Sequence, residues 1–67
     1  MPKKIRELKA LLLKAGCQVE KAKGSHTKWS HPSLSDKLIL SGSDSSDAKP
    51  YQESAVKKYL KDISDKQ

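Results

Sequence analysis

Phenylalanine is absent from these 67 residues, and the aromatic side chains are one tryptophan and two tyrosines. A core must be assembled from leucine, isoleucine and valine around Trp29, Tyr51 and Tyr59. Cysteine occurs once, at Cys17, which excludes an internal disulfide and a cysteine-built zinc site; a small buried apolar residue in a reducing compartment is expected. The longest apolar run, around Leu11-Leu12-Leu13, is shorter than a secretory h-region or a membrane span needs. A cytoplasmic protein without membrane attachment is therefore expected. A chain of this length buries only about 60% of its unfolded surface. Residues 1–67 are read as one small domain with no room for an enclosed cavity, so any chemistry belongs on an open face.

What the chain does have is positive charge, unevenly placed. The net charge is +6. Residues 1–31 carry eight Lys/Arg and two Glu, whereas residues 32–67 carry six Lys and six Asp/Glu. A basic half of this kind suits a polyanion, with nucleic acid the default partner, or simply a solubilising surface. The densest chemistry lies in Gly24-Ser25-His26-Thr27-Lys28-Trp29-Ser30-His31-Pro32, which holds both histidines and the tryptophan.

Residues 3–15 have Ile5, Leu8, Leu12 and Ala15 at helical spacing with Leu11 beside them, Pro2 at the start and Gly16 placed to end a helix. Residues 17–22 and 26–31 read as a hairpin. Pairing the two clearest core candidates, Val19 and Trp29, sets Ala22 opposite His26 and leaves Lys23-Gly24-Ser25 as the loop, with glycine supplying a left-handed residue. In that register Cys17, Val19, Trp29 and His31 face inward, while Gln18, Glu20, His26, Lys28 and Ser30 face outward. Lys37–Leu40 reads as a third strand with Leu38 and Leu40 on one side and Ile39 on the other. Ser41 to Lys49 reads as a solvated connector; Asp44 and Asp47 lack the ligand ladder of a calcium loop. Residues 50–63 form a second helix with a Val56, Tyr59, Leu60, Ile63 stripe, Ala55 and Gln52 flanking it, a Glu53–Lys57 pair outside and a frayed end over residues 64–67.

The predicted architecture is α+β, in the order α-β-β-β-α, with two helices packed on one face of a three-stranded antiparallel sheet. Double-stranded RNA-binding domains share this order. Lys14-Ala15-Gly16, Gly24-Ser25-His26, His31-Pro32, Leu40-Ser41-Gly42 and Asp47-Ala48-Lys49-Pro50-Tyr51-Gln52 together resemble the HicA family of toxins. The resemblance covers nearly the whole chain. It implies a double-stranded RNA-binding-like fold, mRNA interferase activity in a type II toxin–antitoxin pair, and neutralisation by a HicB-type antitoxin. It also implies that His26 is catalytic. Two positions depart from the family pattern: Ser41-Gly42 stands where many relatives have a further histidine, and Cys17 where an aromatic is frequent.

RNA carries its own nucleophile in the 2′-hydroxyl, so one base and some positive charge suffice to cleave it. Histidine suits the base role, since an unperturbed imidazole is substantially neutral near pH 7. His26 is accordingly the expected general base. Lys23 and Lys28 are expected to neutralise the phosphate, with the Gly24 and Ser25 amides holding a phosphate oxygen. The scheme calls for no metal and no cofactor. The outward histidine, beside Lys28 and diagonal to Glu20, also has a bland reading as a surface residue, and Lys28 as a cross-strand partner of Glu20. Trp29 reads as core rather than a base-stacking platform, and His31 as structural. The alternative functions are a non-catalytic RNA-binding module of the same fold and a protein-interaction domain using the open sheet face.

Overall fold

The computed structural model describes residues 3–66. Helix α1 (Ile5–Lys14) is followed by strands β1 (Gln18–Lys21), β2 (Thr27–Ser30) and β3 (Leu38–Leu40), and by helix α2 (Pro50–Lys66). The sheet is antiparallel in the order β1-β2-β3, so the predicted α-β-β-β-α order and fold class are those observed. Pro2, expected at the start of α1, lies outside the described residues.

Helix α1 buries Ile5, Leu8 and Leu12, while Leu11 is 39% exposed. At its start the Glu7 carboxylate accepts the Lys4 N–H at 2.6 Å, filling an amide that the helix leaves unbonded and placing negative charge at the positive end. Its end is sharply defined. Gly16 adopts φ +93°, its N–H donates to the Leu13 carbonyl at 3.0 Å, and the Cys17 N–H donates to the Leu12 carbonyl at 3.0 Å. This paired pattern is a Schellman motif, and the left-handed residue it requires is tolerated by glycine alone without strain. The motif turns the chain directly into β1.

The hairpin register follows Val19 opposite Trp29, Glu20 opposite Lys28 and Lys21 opposite Thr27. Beyond the strand ends the Ala22 N–H donates to the His26 carbonyl at 3.0 Å, so the predicted Ala22–His26 pairing closes the hairpin. β3 adds Ile39 opposite Lys28 and Leu38 opposite Trp29. Trp29, Leu40 and Cys17 meet Ile5, Leu8, Leu12, Val56, Tyr59 and Ile63 in one core. The Trp29 indole N–H is satisfied by the Thr27 hydroxyl at 2.9 Å, so this large side chain is buried without an orphaned polar group.

Two expected core residues are not in the core. Val19 faces the same side as Trp29 yet is 46% exposed, because β1 is an edge strand that the helices do not cover. Tyr51, in the first turn of α2, is 64% exposed and leaves Tyr59 as the only core tyrosine. The Tyr59 hydroxyl donates to the Asp36 carbonyl at 2.8 Å, pinning the β2–β3 connection to α2.

Gln52, expected only to flank the α2 stripe, is buried and joins two elements. Its Oε1 accepts the Lys49 N–H at 2.9 Å and its Nε2 donates to the Ser41 carbonyl at 2.9 Å. It thereby caps the start of α2 and ties it to the end of β3, a job that the side chain of Lys49 cannot do. At the other end the helix continues through Lys66 rather than fraying at 64, with Ile63 anchored in the core; Gln67 lies outside the described residues. The anticipated Glu53–Lys57 ion pair does not form: among the described residues the ion pairs are Lys4–Asp47 and Lys9–Asp44.

Candidate functional site

The β1–β2 turn is built from Lys23 to His26. The His26 N–H donates to the Lys23 carbonyl at 3.2 Å. Gly24, the first central residue, has φ +65°, whereas Ser25 keeps a negative φ. This sign pattern is that of a type II′ turn, whose twist matches the flanking strands and which favours glycine at that position. A Cβ added to Gly24 would meet nothing within 4 Å, so backbone conformation rather than space explains the glycine.

The two histidines follow opposite hydrogen-bonding logic. His26 is exposed, and its Nδ1 lies 3.0 Å from the Lys23 carbonyl. A carbonyl can only accept, so Nδ1 carries the proton and donates. Nε2 is then the nitrogen with the lone pair, and among the described residues it has no hydrogen-bond partner. His31 is 8% exposed. Its Nδ1 accepts the Ser33 N–H at 3.0 Å, which leaves the proton on Nε2, donated to the Ala15 carbonyl at 3.2 Å. Both of its nitrogens are engaged in holding the end of α1 to the turn after β2.

The structure therefore brings His26, Lys28 and the Gly24-Ser25 turn to one region and separates His31 from it. His26 and Lys28 sit two residues apart, on the side of β2 opposite Trp29. Two residues of extended chain span roughly 7 Å, a distance over which two side chains can reach neighbouring groups of one phosphodiester. Lys28 faces Glu20 across the ladder but makes no ion pair with it, nor does Glu20 hydrogen-bond His26. Lys23 is likewise without a carboxylate partner among the described residues. Among the described residues the Gly24 and Ser25 N–H groups donate to no protein acceptor. The site is open: a concavity of about 530 Å³ between Leu8 and Leu11 of α1 and Val56 and Leu60 of α2 contains none of these residues.

Part of the basic surface expected from the sequence is neutralised within the fold. The Ser41–Lys49 connector folds back on α1, with the Ile5 N–H donating to the Ser46 carbonyl at 2.9 Å. Lys4 pairs with Asp47 at 2.5 Å and Lys9 with Asp44 at 2.6 Å. The two aspartates are thus counter-ions of α1. Cys17 is buried and burial pushes its thiol up from the ordinary range, so it offers no thiolate nucleophile near neutrality.

The family model for the HicA toxin of bacterial toxin–antitoxin systems matches residues 5–63. The chain belongs to the HicA toxin family. It is a toxin of a toxin–antitoxin system, and membership brings an antitoxin partner with it. No curated protein and no solved structure matches it significantly. Among the described residues no helix is long and apolar enough to cross a membrane.

Within this HicA chain, the hydrogen bonds of His31 set a stability prediction. His31→Ala leaves the Ser33 N–H and Ala15 carbonyl without their partners and should lower unfolding stability by about 1–3 kcal/mol. Urea titration followed by Trp29 fluorescence reads the loss, and RNA cleavage per folded molecule should be unchanged.

Proposed function

We propose that residues 1–67 act as one domain, an endoribonuclease that cleaves mRNA with His26 as its general base. The observation that carries this reading is the unengaged Nε2 of an exposed histidine whose other nitrogen is held by the Lys23 carbonyl. Such a ring is oriented, has its lone pair available and stands beside unpaired lysines.

In the proposed reaction, Nε2 takes the proton of the 2′-hydroxyl next to the scissile phosphate. The 2′-oxygen attacks phosphorus and the bond from phosphorus to the 5′-oxygen breaks. The products are a 2′,3′-cyclic phosphate and a 5′-hydroxyl, the leaving oxygen being protonated from water. Lys28 and Lys23 balance the charge gathering on the phosphate, and the Gly24 and Ser25 N–H groups hold one of its oxygens. No residue in the scheme recruits a metal. His31 takes no part, since protonating or freeing either ring nitrogen would break a bond that holds α1 in place.

The antitoxin we infer is a HicB-type protein that lays an acidic or phosphate-mimicking surface over the His26 face, the arrangement that complements the free lysines directly. A cytoplasmic site of action fits an mRNA substrate.

Purified protein incubated with mRNA in EDTA should fragment it. Intact RNA that is nevertheless bound, with affinity falling steeply as salt rises, is the result expected of a non-catalytic RNA-binding module and would replace this reading.

A further inference from the structure

We propose that the Lys23–His26 turn is a tautomer-setting device: Gly24 aims the Lys23 carbonyl so that it holds the His26 proton on Nδ1 and keeps Nε2 basic. The inference deepens the reading of His26 as general base and rests on it for its consequence, but not for its structural content.

The Lys23 carbonyl serves two donors of one residue, the His26 N–H at 3.2 Å and the ring Nδ1 at 3.0 Å. A carbonyl oxygen has two lone pairs, so both bonds can exist together. A histidine side chain free in water favours the opposite tautomer, with the proton on Nε2. Left to itself, His26 would present N–H to solvent and keep its lone pair on Nδ1, against its own backbone. The turn reverses that preference. It does so through the backbone of Gly24, whose φ of +65° sets the direction of the peptide that follows Lys23. Because no atom lies within 4 Å of a Cβ at this position, the glycine is not required for packing. His31 shows that the fold, rather than the residue type, decides: there a backbone N–H on Nδ1 enforces the Nε2–H form. Lys23, through its carbonyl, and Gly24 are thus positioning residues for His26.

Long-range proton–nitrogen NMR of the imidazole rings distinguishes the two tautomers directly, and His31 provides a reference within the same molecule. The wild type should show His26 as Nδ1–H and His31 as Nε2–H. Gly24→Val puts a β-branched residue where φ is positive, so the turn must shift; His26 should revert toward Nε2–H and cleavage should slow by roughly 10-fold or more. An unaltered His31 signal certifies that this variant is folded. D-alanine in place of Gly24 suits a positive φ at this turn position and should keep the Nδ1–H form.

Wild-type His26 found as Nε2–H, or as a mixture, overturns the proposal without any variant. So does Gly24→Val that loses cleavage while keeping the Nδ1–H form, since the loss would then come from the phosphate-holding amides and not from the tautomer. Undiminished cleavage by His26→Ala would remove the general-base reading, and the NMR result would still decide whether the turn sets the tautomer.

Discussion

His26→Ala should lower the RNA cleavage rate by about 10²–10⁴-fold, the usual contribution of a placed general base, and should abolish growth arrest on expression. The same substitution should leave unfolding stability within about 0.5 kcal/mol of wild type, because the residue is exposed and packs against nothing in the core. Among the described residues its side chain makes one hydrogen bond, to a carbonyl that still accepts the His26 N–H, so the alanine variant keeps the turn closed. The separation matters as much as the size of the effect. His31→Ala is expected to do the reverse, losing stability and keeping cleavage. Single-turnover rates and urea midpoints, measured on the same preparations, read both quantities. Cleavage by His26→Ala at the wild-type rate would remove the residue from the mechanism.

Trp29→Ala should leave the chain largely unfolded. Trp29 is 1% exposed at the centre of the core, and truncating a buried tryptophan costs about 3–5 kcal/mol. A domain of this length has a total stability of only about 3–10 kcal/mol. Six side chains of the two helices, Ile5, Leu8, Leu12, Val56, Tyr59 and Ile63, share that core with it, so the cavity would lie between the sheet and both helices. Val19→Ala is the informative contrast. Val19 is the cross-strand partner of Trp29, but at 46% exposed its loss should cost about 0.5 kcal/mol or less. Circular dichroism and urea unfolding of the two variants test the difference. A large loss for Val19→Ala would mean that β1 is covered in solution.

The hairpin was legible in the sequence because three local constraints agreed. A glycine sat where the loop needed a positive φ, Trp29 demanded burial, and alternation then carried His26 and Lys28 to the opposite face from His31. The α1 terminus was legible for a similar reason, Gly16 being the one residue there suited to φ +93°. Val19 was misplaced because alternation says which face a residue is on and not whether anything covers that face. Coverage depends on how the helices lie across the sheet, which no local pattern records. Tyr51 failed in the same way, at the rim of α2.

The role of Gln52 was hidden by its polarity. The signal that would have revealed it was its position two residues after Pro50, where a helix N-terminus accepts a side-chain cap. The Lys4–Asp47 and Lys9–Asp44 pairs are hidden for a different reason: they join residues 43 and 35 apart in sequence, beyond any local pattern. At the site itself the sequence named the histidine but not the nitrogen. Only the distance from Nδ1 to the Lys23 carbonyl identifies Nε2 as the basic atom.

The central claim is that His26 turns the 2′-hydroxyl of RNA on its own phosphate, and the ends of the cleaved RNA test it most directly. Fragments produced in EDTA should carry 2′,3′-cyclic phosphate and 5′-hydroxyl termini, and a substrate with a single 2′-deoxy residue at the cut site should survive intact. Fragments ending in 3′-hydroxyl and 5′-phosphate, or cutting of the 2′-deoxy substrate at the normal rate, would contradict it.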